Sequence, residues 1–128
     1  MFKAAVNNCH YDFHSLTELE RVLKEGHDQE YREIWVEHGK RTMCALAAGH
    51  RAWLLMMRFP EDCGLSSRNR DYAGGAGETM KFRLSNGQID EYPVAWTLPN
   101  DVWVPAMLLF AETGKLSKSV GWHQEGGE

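Results

Sequence analysis

A run of five apolar residues, 53–57, places the strongest constraint on the fold of this chain. The run (Trp-Leu-Leu-Met-Met) has no polar face, and the flanking Gly49 and Pro60 leave too little room for a buried helix. We therefore predict a strand over residues 52–59 that lies in the middle of a sheet. A hairpin turn at residues 48–51 would join it to a preceding strand.

Alternating or turn-bounded segments predict the other strands of this sheet. Asn86-Gly87 is the strongest short hairpin signal in the chain. Pro93 marks the returning strand as an edge strand or as the end of that strand. The remaining predicted strands span residues 9–14, 31–37, 42–47, 80–84 and 92–96, with a short closing segment at 115–122.

Ser15 and Glu18 form a capping box before an apolar stripe of helical spacing. This pattern predicts a first helix over residues 16–25, with Gly26 as its left-handed stop. A second helix is predicted from about Asp101 to the residue before Gly114.

Pro105 is expected in or near the first turn of the second helix, which could therefore begin a few residues after Asp101. Together the elements predict an α+β fold in which an antiparallel sheet of about five to six strands packs with two main helices as a two-layer sandwich. We expect a single domain over residues 1–123 and a flexible tail over 124–128.

The charge balance of the chain favours a basic partner. The 128 residues carry 14 Lys+Arg against 18 Asp+Glu, so the formal net charge is −4. This balance argues against nucleic acid as the main partner, because binding phosphates requires a net basic face.

The cysteines and the N-terminal sequence predict a cytoplasmic location without a membrane partner. Cys9, Cys44 and Cys63 are odd in number and have no metal-site or disulfide spacing, which indicates reduced thiols. Asn7 and Asn8 interrupt the N-terminal sequence before a secretory apolar stretch can develop. No apolar run approaches the roughly 18–20 residues that span a bilayer.

His10, Asp12 and His14 would share one face of the first predicted strand and could bind a divalent metal ion. The interpretation that we favour is a solvent-facing side of that strand, with Tyr11 and Phe13 packed inward.

The glycine cluster at residues 74–77 could cradle a phosphate, but no helix follows it, and we favour a turn back into the next strand. Cys63 lies outside any recognisable nucleophile motif. We predict no metal, no cofactor and no enzymatic activity. A ligand- or metal-binding module and a small enzyme of unrecognised type are the alternatives.

The segment 60–77 is predicted to be a long loop, which in a small domain is usually functional or mobile. Its mixture of charged and aromatic residues fits a recognition rim as well as it fits a solvated loop. Trp53 and Trp96 are expected in the core. Trp103 lies off the best apolar stripe of the second helix and could anchor a partner, although core packing is the favoured alternative.

The C-terminal part of the chain resembles a known family. The sequence Val-Pro-Ala-Met-Leu-Leu-Phe-Ala-Glu-Thr-Gly at residues 104–114, followed by Val-Gly-Trp at 120–122, is similar to the C-terminal signature of a family of bacterial immunity proteins. That family is the first-numbered Imm family of polymorphic toxin systems, often encoded beside deaminase toxins. The stretch 74–82 resembles its Gly-rich approach to a central strand. The spacer 115–119 lacks the Pro that the family often has.

The resemblance implies stoichiometric inhibition rather than catalysis. The protein would bind a cognate toxin domain, of a nucleic-acid-targeting and deaminase type, and would block its active site. The signature residues Gly114 and Trp122 would be structural, a helix stop and a core anchor. The residues that we predict to contact the toxin are Glu61, Asp62, Arg68, Arg70, Asp71, Tyr72, Glu78 and Trp103.

Overall fold

The computed structural model describes residues 1–25 and 31–126, and its helices and strands follow the apolar pattern of the sequence. The strands are β1 Phe2–Val6, β2 Cys9–Phe13, β3 Arg32–His38, β4 Arg41–Ala48, β5 Arg51–Met57, β6 Leu65–Arg68, β7 Thr79–Arg83, β8 Ile89–Pro93, β9 Leu98–Pro99 and β10 Gly121–Gln124. The helices are α1 Leu16–Lys24 and α2 Asn100–Thr113, and a short 3-10 helix spans Val94–Trp96.

An eight-stranded sheet forms the centre of the fold. Its order is β10-β6-β5-β4-β3-β1-β2, with β9 paired to β5, and β7 and β8 form a separate two-stranded hairpin. The pairings within the described residues are antiparallel. The α+β class, the antiparallel sheet and the two helices are confirmed, and the sheet has more strands than the five to six that we predicted.

β5 confirms the prediction of a central strand without a polar face. Its residues Ala52, Leu54 and Met56 belong to the main core, which also contains the buried residues of both helices. Trp53 belongs to a second core cluster with Phe82 of the hairpin. Because neighbouring strand residues point to opposite faces, the helices cover one face of the sheet and the hairpin covers part of the other.

The turns that connect the central strands are short. β3 and β4 are joined through Gly39, whose φ is 61°, and β4 and β5 through Gly49, whose φ is 58°. Glycine with positive φ at the first position of a two-residue loop is typical of hairpins that follow the twist of the strands. The predicted turn at residues 48–51 is confirmed.

The predicted cap at Ser15 is present at the start of α1, although the Glu18 carboxylate contacts the Ser15 hydroxyl and not a backbone N–H. The Ser15 hydroxyl accepts a hydrogen bond from the backbone N–H of Glu18 at 3.2 Å. Leu19 and Leu23 are fully buried against the sheet. The predicted stop at Gly26 lies outside the described residues.

α2 begins at Asn100, and Pro105 stands at its sixth position, so the predicted delay of the start is wrong. A proline there lacks the N–H that would bond to the carbonyl of Asp101, but the helix continues past it to Thr113. Gly114 ends the helix with a φ of 74°, as predicted. In the described parts of the chain, neither helix has the length and apolar character needed to cross a membrane.

Several features of the strands differ from the predictions, among them the short unpredicted β9 and the separation of β7 and β8 from the main sheet. β1 was not predicted, because its sequence Phe-Lys-Ala-Ala-Val does not alternate cleanly. β6 lies inside the segment predicted as loop 60–77, and its Ser66 and Ser67 are fully buried. The strand predicted over 92–96 ends at Pro93, where the 3-10 helix begins. β10 includes Gln124, beyond the domain boundary that we placed at residue 123, and residues 127–128 lie outside the described residues.

Candidate functional site

Asp62 lies in the turn after β5, where its carboxylate is already engaged within the chain. The residue is only 9% exposed. Its carboxylate accepts hydrogen bonds from the backbone N–H of Arg58 at 2.9 Å, from Arg58 Nε at 2.7 Å and from the backbone N–H of Gly64 at 3.1 Å. The Arg58 guanidinium holds the pKa of the Asp62 carboxyl well below its usual range. Its neighbour Glu61 is exposed.

Trp103 is a core residue, which is the alternative that we favoured over a partner anchor. Its side chain is fully buried. The indole Nε1 donates a hydrogen bond to Asn100 Oδ1 at 2.7 Å, and the Arg32 guanidinium lies 5.8 Å from the ring centroid. α2 buries residues around much of its circumference, so position relative to one apolar stripe does not decide which side chains reach the surface.

Arg68 lies on β6, on the sheet face opposite the helices, and its guanidinium is already engaged. It stacks on Trp96 at 3.7 Å from the ring centroid and donates hydrogen bonds to Ser66 Oγ at 3.0 Å and to the Ser67 carbonyl at 2.8 Å. Arg68 Nη2 lies 3.6 Å from Glu125 Oε2. Burial lowers the pKa of Arg68, and the Glu125 carboxylate opposes that effect.

Four of the predicted contact residues lie in one segment, residues 69–78, which we call the charged loop. Its side chains include Arg70, Asp71 and Glu78, which are exposed, and Tyr72, which is half-buried. Backbone hydrogen bonds anchor both ends of the loop to the 3-10 helix. The N–H of residue 69 donates to the carbonyl of residue 95 at 2.9 Å, and the N–H of residue 94 donates to the carbonyl of residue 78 at 2.9 Å.

Hydrogen bonds within the charged loop hold its conformation. The Tyr72 hydroxyl donates to the Gly75 carbonyl at 3.0 Å, and the Gly75 N–H donates to Glu78 Oε1 at 2.6 Å. A Cβ on Gly74 would lie only 2.6 Å from Cζ of Tyr72, so a larger residue there would require the tyrosine side chain to shift. Gly77, with a φ of 107°, turns the chain towards β7, as the interpretation of the glycine cluster predicted.

The hairpin and the sheet enclose a cavity of about 170 Å³ on the face opposite the helices. We call it the aromatic cleft. Aromatic side chains and leucines form its walls, a buried thiol lies at its floor and two carboxylates stand at its rim. These residues are Trp35, Trp53, Tyr92, Leu46, Leu55, Leu84, Cys44, Glu33 and Asp90.

Hydrogen bonds fix Glu33 and Trp35 at one side of the aromatic cleft. Trp35 Nε1 donates to Glu33 Oε2 at 2.7 Å, and the backbone N–H of Ser85 donates to Glu33 Oε1 at 3.0 Å. Burial, reinforced by the nearby Glu33 carboxylate, raises the pKa of the Cys44 thiol well above its ordinary value. The thiol is therefore protonated at neutral pH and serves as an apolar floor.

The opposite side of the aromatic cleft is formed by Tyr92 and Asp90. The Tyr92 hydroxyl donates to Asp90 Oδ2 at 3.0 Å, and Gln88 Nε2 donates to Asp90 Oδ1 at 2.7 Å. Burial and then the Asp90 carboxylate raise the pKa of Tyr92 above its ordinary range, and Glu125 contributes in the same direction. The phenol therefore remains a hydrogen-bond donor at every physiological pH.

Sequence reasoning missed the aromatic cleft, although a signal for it was present. Glu33, Trp35 and Glu37 alternate with the apolar Ile34 and Val36, which places a tryptophan on the charged face of β3. An aromatic residue on an otherwise polar strand face indicates either a second core or a binding surface.

The metal-site pattern of the sequence does not assemble. His10, Asp12 and His14 are all exposed, and residues 1–25 and 31–126 contain no group of three His, Cys, Asp or Glu able to hold a metal ion. Phe13 is buried as predicted, but Tyr11 is 44% exposed. β2 is an edge strand of the sheet, and Tyr11 stacks on Phe13 at 5.7 Å between ring centroids.

Two comparisons with known proteins found no match. No protein-family model matches the chain. A search of the curated proteins finds no matching relative.

Proposed function

We propose that this chain is an immunity protein that binds a cognate bacterial toxin domain and covers its active site without catalysing a reaction. The observation that carries the proposal is the charged loop. Arg70, Asp71, Tyr72 and Glu78 lie together there on a surface segment held by its own hydrogen bonds. A loop ordered before binding loses less conformational entropy in the complex than a mobile one.

The chemistry of the charged loop suits recognition of a protein. Arginine and tyrosine are enriched in interfaces, and the mixture of both charge signs allows several directional contacts with a partner. Hydrogen bonds to the 3-10 helix hold both ends of the charged loop, so the backbone that carries the loop side chains is fixed.

The two signature residues of the family resemblance have structural surroundings that suit their expected roles. Gly114 adopts a left-handed conformation that few other residues reach without strain. Trp122 packs against the main core, and its Nε1 donates to the Ser117 carbonyl at 3.1 Å. These positions support the resemblance, and the binding surface is to be sought elsewhere.

The toxin that we propose acts on nucleic acid, with deaminase-type chemistry, and therefore carries a basic substrate groove. A net charge of −4 on the immunity protein would accelerate encounter with such a groove through long-range attraction. Raising the ionic strength should slow association. Association that is indifferent to salt would contradict the charge-matching part of the proposal.

We propose the cytoplasm as the compartment in which this inhibition takes place. The three cysteines, Cys9, Cys44 and Cys63, are free thiols. Free thiols at exposed positions such as Cys9 and Cys63 suit a reducing compartment.

The deciding experiment is co-expression with the product of the adjacent gene, scored by rescue from toxicity and by co-purification. Rescue with a one-to-one complex is the expected result. No rescue and no complex, with a neighbour that is shown to be expressed and toxic, would overturn this pairing.

Charge reversal then tests whether the charged loop contacts the toxin. Asp71→Lys should weaken the complex, because the lysine would place a positive charge against the basic groove of the toxin. Glu112→Lys, an equal charge change at an exposed position of α2, is the matched control and should leave the complex unchanged.

A further inference from the structure

The aromatic cleft combines apolar walls with a local excess of negative charge. Its rim carries Glu33 and Asp90. The nearby cation Arg68 is engaged by Trp96 and Glu125. Such a site is complementary to a cation with a flat apolar face.

We propose that the aromatic cleft receives an arginine side chain of the protein partner, with its guanidinium against the aromatic walls and between the two rim carboxylates. The inference rests on the proposed function, because a protein partner must supply this side chain. It adds a second anchoring point to the contact made by the charged loop.

The aromatic walls favour a guanidinium over a neutral group. A cation over the face of an indole or phenol ring is attracted by the quadrupole of the ring, and arginine can also stack on it. The same sheet face already contains one such pair, with Arg68 lying 3.7 Å from the ring centroid of Trp96. An incoming arginine would repeat that arrangement against Trp35, because the Tyr92 ring is already stacked on Trp53.

The rim carboxylates are ordered before a ligand arrives. Glu33 is fixed by Trp35 and Ser85, and Asp90 is fixed by Gln88 and Tyr92. A carboxylate oxygen that accepts one hydrogen bond keeps a second acceptor position. The forked N–H groups of a guanidinium can use these positions with little further ordering of the protein.

The size of the aromatic cleft limits what can enter. Its volume of about 170 Å³ lies below the roughly 300–1,000 Å³ that is typical of cofactor and drug sites. The cleft therefore suits one inserted side chain better than a folded ligand.

The first test needs no partner. The indole N–H resonances of Trp35 and Trp53 are followed by NMR while Nα-acetyl-arginine amide is added. Nα-acetyl-citrulline amide, which has a neutral head of nearly the same shape, is added in a parallel titration. We expect saturable shifts with the arginine probe alone. Equal shifts with both probes, or none with either, would overturn the inference.

Two variants test whether the arginine probe binds in the aromatic cleft. Asp90→Asn keeps an oxygen that accepts from the Tyr92 hydroxyl but removes the rim charge, and should weaken binding of the arginine probe about tenfold. Glu112→Gln removes a charge from the helix side of the molecule and should change nothing. Matching thermal unfolding midpoints would show that both variants are folded.

The second test uses the partner complex and separates this inference from the proposed function. Asp90→Asn should weaken a complex that the wild-type chain forms, and an unchanged affinity would overturn the inference while the immunity role stands. If the arginine probe binds but the toxin neither binds nor is neutralised, the proposed function falls and the assignment of the cleft to a cationic side chain stands.

Discussion

Trp53 of the central strand and Tyr92 of the hairpin stack face to face, with ring centroids 4.3 Å apart and ring planes 7° apart. This contact joins the eight-stranded sheet to the two-stranded one. Trp53 Nε1 is buried and finds no acceptor among the described residues, so packing of the ring, rather than a hydrogen bond, holds this side chain. The hairpin therefore depends on aromatic contact for its position.

Removing the Tyr92 ring should loosen the hairpin. Tyr92→Leu is expected to lower the free energy of unfolding by about 2 kcal/mol, because it removes the stack and part of the buried aromatic surface. Urea unfolding measures the change. Tyr92→Phe keeps the ring and is the control, with an expected loss below about 1 kcal/mol. Equal losses in both variants would show that the hydroxyl, and not the stack, carries the contact.

The Arg58–Asp62 pair should make stability depend on pH in the acid range. The folded-state pKa of Asp62 lies below its unfolded value near 3.9, so the pair contributes stability above about pH 4. That contribution is lost as the pH falls further and Asp62 becomes protonated. Asp62→Asn should therefore destabilise the protein at neutral pH, with a difference from wild type that shrinks below about pH 4.

Denaturant unfolding at a series of pH values measures this difference for Asp62. Asp71→Asn, an equal change at an exposed position of the charged loop, is the control and should show no comparable pH-dependent difference. A constant difference between wild type and Asp62→Asn at all pH values would contradict the assignment of the ion pair.

Gly39 and Gly114 both have a positive φ, but only Gly114 has another side chain close to the position of an added Cβ. Alanine substitutions at the two positions therefore distinguish backbone strain from steric collision. Gly39 has a φ of 61° with nothing within 4 Å of an added Cβ, whereas Gly114 has a φ of 74° and a Cβ there would lie 2.7 Å from Cδ2 of His38. Gly39→Ala should cost about 1 kcal/mol from left-handed strain alone. Gly114→Ala should cost about 1–2 kcal/mol more, because the His38 ring must move. Equal costs would show that His38 adapts freely.

Substitution of Ser67 tests how much the hydrogen bonds of its buried hydroxyl contribute to stability. Its hydroxyl accepts a hydrogen bond from the Leu54 N–H at 3.0 Å and donates one to the Trp96 carbonyl at 2.7 Å. Ser67→Ala leaves both backbone groups without that partner and should cost about 1–3 kcal/mol by thermal or urea unfolding. Ser119→Ala, at an exposed site, is the control and should have an effect within about 0.5 kcal/mol.

Local signals explain which parts of the fold the sequence could predict. The continuous apolar run of β5, the cap at Ser15 and the stop at Gly114 each depend on neighbours within a few residues, and the structure confirms all three. β6 could not be predicted in this way. Its sequence Leu-Ser-Ser-Arg is polar, and its hydroxyls become satisfied through residues on β5, on the 3-10 helix and beyond β10.

The same distinction separates the parts of the candidate site. The charged loop is contiguous in sequence, so composition alone could indicate it. The aromatic cleft joins Trp35, Trp53 and Tyr92, which are brought together by strand register and by docking of the hairpin. Asp62 could not be recognised as a structural residue without its contact with Arg58, because an acidic residue in a loop usually faces water.

The order of the central strands has a consequence for how the chain folds. β3, β4 and β5 are neighbours in both sequence and space, and two short turns join them. Their pairing closes small loops, so it loses little chain entropy and can form early. β1 and β6, which pair with the outer sides of β3 and β5, extend this meander towards the two edges of the sheet. Amide hydrogens of β4 should therefore exchange with solvent more slowly than those of β2 and β10.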